Sequence, residues 1–88
     1  MTVKEFKSQM LKLVQYYRYG GIEVDGPTFN VWYQFLKDLN YERFKRVVNF
    51  YMLTQDEFPY SPRDLMQSYR VLELAEQVLN EQPSVSGE

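Results

Sequence analysis

Phe58-Pro59-Tyr60-Ser61-Pro62-Arg63-Asp64-Leu65, read with Trp32-Tyr33-Gln34-Phe35-Leu36-Lys37-Asp38 and Tyr41 ahead of it, decides the fold. A residue before proline avoids the α region, so Phe58-Pro59 and Ser61-Pro62 hold an extended joint. Ser61 then caps a new helix, Pro62 takes its first position and Asp64 falls in its first turn, near the positive end of the dipole. That last helix carries Leu65, Tyr69, Leu72, Ala75 and Leu79 on one stripe, with Val71 and Val78 widening it. Upstream, Phe29, Trp32, Phe35, Leu36 and Leu39 recur at helical spacing and predict helix two. Asn40 breaks it and caps helix three, whose stripe is Phe44, Val47, Val48, Tyr51 and Met52.

Working toward the N-terminus, Asp25-Gly26-Pro27 is a turn that starts helix two. Ile22 and Val24 flank Glu23 in a stretch too short for a strand alone, which predicts a loop pinned to the core. Thr2-x-x-Glu5 reads as a capping box, in which hydroxyl and carboxylate each satisfy the other residue's backbone N–H. Phe6, Met10, Leu13, Val14 and Tyr17 form the stripe of helix one. Gly20-Gly21 is expected to end it in the left-handed conformation that glycine adopts without penalty. The sum is all-α: a compact four-helix domain with short joints over residues 1–81, followed by a frayed, flexible tail over 82–88.

An 88-residue chain makes one domain. Eight Tyr, six Phe and one Trp supply its core, and each large apolar side chain that is buried contributes roughly 1.5–3 kcal/mol. With no Cys and no His, neither a disulfide nor a metal is expected, which suits a reducing compartment. No apolar run approaches the roughly 20 residues that span a bilayer. Met1-Thr2-Val3-Lys4-Glu5 lacks the apolar stretch and cleavage site of a signal peptide. The reading is a cytoplasmic protein without a membrane partner.

The net charge of −2 hides an asymmetry. Residues 1–46 hold eight basic and five acidic side chains; residues 47–88 hold two and seven. Such a dipole orients a partner, although a solvated mixed-charge surface has the same sequence pattern.

Catalysis finds no footing in these residue types. General acid–base work relies on His or on a carboxylate in a pocket, and the carboxylates here fall on polar faces or in loops. Asp56-Glu57 is the one adjacent acidic pair. The hydroxyls of Ser8, Thr28, Thr54, Ser61 and Ser68 have no evident base. Gly20-Gly21 is not followed by the Lys and Ser/Thr of a phosphate loop. The protein is read as a non-enzyme with no cofactor and no metal.

Two kinds of surface remain. Arg43, Lys45 and Arg46, interleaved with Tyr41 and Phe44, form a candidate DNA contact. Against it, Phe44 belongs to the core stripe, Glu42 interrupts the basic run, and the sequence pI is about 5.1. The second surface is a protein interface. Tyr16, Tyr19, Tyr33 and Tyr60 lie off the stripes or in loops, and tyrosine is enriched at interface hot spots. The last helix adds Arg70 and an acidic polar face of Glu73, Glu76, Gln77 and Glu81. The residues assigned to a partner are Tyr33, Tyr60, Arg70, Glu73, Glu76, Gln77 and Glu81.

The same marks resemble a known family. Tyr16-Tyr17, then Ile22 and Val24, Trp32-Tyr33, Leu36, Asp38, Tyr41, Phe58-Pro59 and Asp64-Leu65 are similar in order and spacing to the replicative helicase loader and inhibitor family of phages of Firmicutes. The likeness spans roughly residues 3–70. It implies a non-enzymatic phage DNA-replication adaptor with a compact helical domain. Such an adaptor binds the hexameric, ATP-driven replicative helicase, holds it inactive, and delivers it to an origin complex with an origin-binding protein. In that family the helicase-binding portion lies largely in a flexible C-terminal segment. Here nine residues, Asn80 to Glu88, follow Leu79, so the chain is either a truncated piece or a short member that makes the contact with the polar face of its last helix and its tail. The alternatives kept beside this reading are a small phage regulator that binds DNA directly and an inhibitor of another host protein.

Overall fold

The computed structural model describes residues 1–81, with side chains through Leu79. Four helices make up the architecture: α1 (Val3–Tyr17), α2 (Pro27–Leu36), α3 (Tyr41–Thr54) and α4 (Pro62–Glu81). Among the described residues there is no strand, and no helix is long and apolar enough to cross a membrane. The tail expected over 82–88 lies outside the described residues.

The starts of α1, α2 and α3 follow their sequence signals. The Glu5 backbone N–H donates to Thr2 Oγ1 at 3.1 Å and the Thr2 N–H donates to Glu5 Oε1 at 2.8 Å, completing the capping box. Gly26 is the N-cap of α2, with Pro27 in its first turn. Asn40 Oδ1 accepts from the Arg43 N–H at 2.9 Å. At the start of α4, the Asp64 carboxylate accepts from the Tyr60 N–H at 2.7 Å, and the Asp64 N–H donates to the Ser61 carbonyl at 3.0 Å.

The end of α1 departs from expectation. The left-handed residue is Arg18, with φ 52°, and no glycine has positive φ. Arg18 N–H donates to the Gln15 carbonyl and Tyr19 N–H to the Val14 carbonyl, the paired bonds of a Schellman end. Gly21 serves packing instead. A Cβ there would run into the Tyr19 ring, and that ring stacks on Phe58 with centroids 4.1 Å apart and planes 5° apart.

One cluster forms the core. α1 contributes Phe6, Met10 and Leu13; α2 contributes Phe29, Trp32 and Leu36; α3 contributes Phe44, Val48 and Tyr51; Phe58 and Leu65 close it. Ile22 is buried and Val24 half-buried against this cluster, so the loop between α1 and α2 is pinned as expected. α3 is the central helix and packs on both α1 and α4, while α2 lies on α4. Gln9 is also buried, and its side-chain oxygen finds no donor among the described residues.

Two apolar expectations fail, each for a geometric reason. Phe35 is 63% exposed. Successive helical residues point about 100° apart, so with Leu36 facing the core Phe35 is turned to the rim. Ala75 and Leu79 are exposed as well. α4 runs antiparallel to α3, with Arg43 near the start of α3 reaching Glu73 and Glu76. α4 has 20 residues against 14 in α3, so its last turns extend past the point where α3 begins.

Tyr51 links the core to the joint before α4. It is 6% exposed and its hydroxyl donates to the Glu57 carbonyl at 2.8 Å. Burial first, and then the nearby Asp64 carboxylate, push its pKa up to about 12. Burial shifts Tyr17 in the same direction. The unfolded chain releases these protons first as pH rises, so stability is full below about pH 10 and falls toward pH 12. We expect Tyr51→Phe to cost about 1 kcal/mol at neutral pH through the lost hydrogen bond. It should also flatten the alkaline decline. Urea midpoints followed from neutral to strongly alkaline pH test this, and parallel curves for the two proteins would refute the assignment.

Candidate protein-binding surface

The surface begins where α4 leaves the core. Leu65, Ser68, Tyr69, Leu72 and Glu76 face inward or lie half-buried, at spacings of three and four. Beyond Leu72 the inward hold is electrostatic. Arg43 Nη1 lies 3.1 Å from Glu73 Oε2, and its Nη2 lies 3.1 Å from Glu76 Oε1. Arg46 Nε reaches Glu76 Oε2 at 3.1 Å. The Arg43 guanidinium also sits 5.9 Å from the centroid of the Tyr69 ring. These side chains are about a quarter to a half exposed, so each pair contributes only about 0.2–1 kcal/mol. Their effect is to orient α4 on α3.

The opposite side of α4 presents Val71, Leu74 and Val78, all more than half exposed. Leu79 is exposed beside them. Positions 71, 74 and 78 follow the spacing of three and four that forms the seam of a helix pair. In sequence, Val71 and Val78 read as a widened core stripe. The structure shows a second stripe that nothing in the described chain covers.

The residues assigned from sequence to a partner fall into three groups. Tyr60, 86% exposed, and the exposed Arg70 and Gln77 are open to solvent. Glu73 and Glu76 carry the network to Arg43 and Arg46. Tyr33 is half-buried: its hydroxyl donates to the Met1 carbonyl at 2.8 Å and its ring lies 5.4 Å from that of Phe6. The side chain of Glu81 lies outside the described ones. The cations assigned to DNA are each paired: Arg43 and Arg46 as above, and Lys45 with Glu42 at 3.0 Å. Lys45 Nζ also lies 5.0 Å from the Tyr41 ring centroid.

The fold and this surface can be set beside known proteins. Residues 1–66 match the family model G39P_N, the N-terminal domain of the phage SPP1 helicase loader. The chain belongs to this phage helicase-loader family. No curated protein and no solved structure matches it. The loader-family match takes in α1, α2, α3 and the first turn of α4. The whole core cluster, the Asn40 cap and the Phe58-Pro59 joint therefore lie within the loader domain. Glu73, Glu76 and the exposed stripe of α4 lie beyond the matched residues.

Proposed function

We propose that this protein is a non-enzymatic DNA-replication adaptor that binds a hexameric replicative helicase, restrains it, and delivers it to an origin. The observation that carries the reading is the helicase-loader match over residues 1–66. The uncovered Val71-Leu74-Val78 stripe supports it, because an adaptor needs a surface that stays open until its partner arrives. The absence of His and Cys from the chain is in keeping with a role in binding.

In this reading the distal half of α4 meets the ATP-bound helicase, and Tyr60, Arg70 and Gln77 border the contact. An origin-binding protein is the second partner, and the setting is the host-cell cytoplasm. Direct DNA binding through Arg43, Lys45 and Arg46 has less support, since each cation already holds a carboxylate of the chain. Size-exclusion chromatography with the candidate helicase, with and without ATP, tests the proposal, followed by an ATPase assay. Co-elution with the hexamer and reduced ATP turnover are expected. Unchanged elution and unchanged turnover would overturn it and favour another host target.

A further inference from the structure

We propose that the groove between α2 and the start of α4 seats an acidic, amphipathic segment of a second protein. The groove has a volume of about 570 Å³. Phe35 stands on its α2 side, and Pro62, Arg63, Met66 and Arg70 line its α4 side. On α4, positions 63, 66 and 70 share one face, at spacings of three and four. That face points away from the contact with α3, and Leu74 of the distal stripe follows Arg70 one turn further along α4.

Three observations define the occupant. First, Phe35 is a large aromatic residue left 63% exposed at the rim, with the half-buried Met66 in the same groove. A solvent-exposed aromatic beside a flexible thioether is the composition of a binding hot spot. Second, Arg63 and Arg70 are the only basic residues after position 46. In a half-chain with seven acidic residues, both cations line this one groove. Third, neither arginine has a carboxylate within 4.0 Å among the described residues, whereas Arg43, Lys45 and Arg46 all do. Two guanidinium forks about two helical turns apart, over an apolar floor, match a helix with carboxylates along one edge and apolar side chains along the next. A phosphate backbone would satisfy the arginines and leave Phe35 and Met66 in water.

The test uses the full chain and a display library of random short peptides. We expect selection to enrich peptides that combine Asp or Glu with Leu, Phe, Trp or Met at helical spacing. A synthetic peptide of the enriched sequence, labelled and followed by fluorescence anisotropy, is then the probe. Phe35→Ala should weaken its binding at least about tenfold, and Arg63→Glu with Arg70→Glu should weaken it further. Lys4→Glu, an exposed charge change on α1, should leave it unchanged. The circular dichroism melting curves of these variants should match the parent, because the replaced side chains are exposed. The inference is overturned if no peptide is enriched, if the enriched peptides lack acidic residues, or if the groove variants bind as well as the parent. Displacement of the peptide by single-stranded DNA, with the same arginine dependence, would also overturn it and mark a phosphate site. The assay contains no helicase, so its outcome is independent of the helicase-binding experiment.

Discussion

Phe6→Ala lowers the unfolding free energy by about 3–5 kcal/mol, the range for emptying a fully buried phenylalanine site. Phe6 has no exposed surface. Its ring centroid lies 5.0 Å from that of Phe29, 5.4 Å from Tyr33 and 6.1 Å from Phe44. One side chain of α1 therefore touches both α2 and α3, and removing it opens a cavity where three helices meet. A domain of this size is stable by roughly 4–13 kcal/mol, so the variant loses a large part of the total. Each kcal/mol corresponds to about 4–8 °C in Tm at this length, so the melting point should fall by more than about 10 °C. Far-UV circular dichroism during heating and urea titration reads both quantities. A loss below about 1 kcal/mol would mean that something other than this ring cluster holds the helices together.

Leu74→Glu combined with Val78→Glu is expected to weaken the proposed binding to the helicase about a hundredfold and to leave the fold intact. Both side chains are 60% exposed, so the monomer loses little burial, and glutamate is a good helix former. The change in unfolding free energy should stay within about 1 kcal/mol. In the complex the balance is different. Two apolar contacts would be replaced by carboxylates with no partner, in a setting where an uncompensated charge is costly. A combined penalty of about 3 kcal/mol weakens binding roughly a hundredfold. Co-elution of the doubly substituted protein with the hexamer would remove distal α4 from the interface. If the parent binds, the same result would redirect attention to the body of the domain.

Local signals suffice wherever one or two neighbouring residues complete an interaction. Thr2 with Glu5, Asn40 with the Arg43 N–H, and Pro27 in the first turn of α2 are of this kind. So are the inward faces of α1 and α3, whose apolar stripes are buried or half-buried throughout. Failures occur where a distant segment decides. Gly20-Gly21 looked like the helix end, yet Arg18 takes the left-handed conformation, and Gly21 is constrained by the Tyr19 ring that stacks on Phe58. Gln9 is polar in sequence and buried in the fold, because its neighbours Phe6, Met10 and Leu13 all face the centre. The resemblance to helicase loaders was visible in the aromatic and proline marks and agrees with the family match. The assigned surface residues were less legible. The carboxylates Glu73 and Glu76 read as free acidic charge but are ion-paired to a helix about 30 residues away in sequence.

By itself the amino-acid sequence determined where each helix starts, which stripe of each is apolar, and that the chain carries no His or Cys chemistry. Helical periodicity, capping and proline geometry are local, so their causes lie within a few residues. Only the tertiary structure decided which apolar residues remain uncovered. Periodicity gives the angle between side chains on one helix, but coverage depends on the length and position of the neighbour. α3 begins at Tyr41 and leaves the last turns of α4 unpacked, and Leu36 turns Phe35 outward beside Arg63 and Arg70. The candidate working surfaces of this small domain are those left open by that mismatch in lengths and orientations.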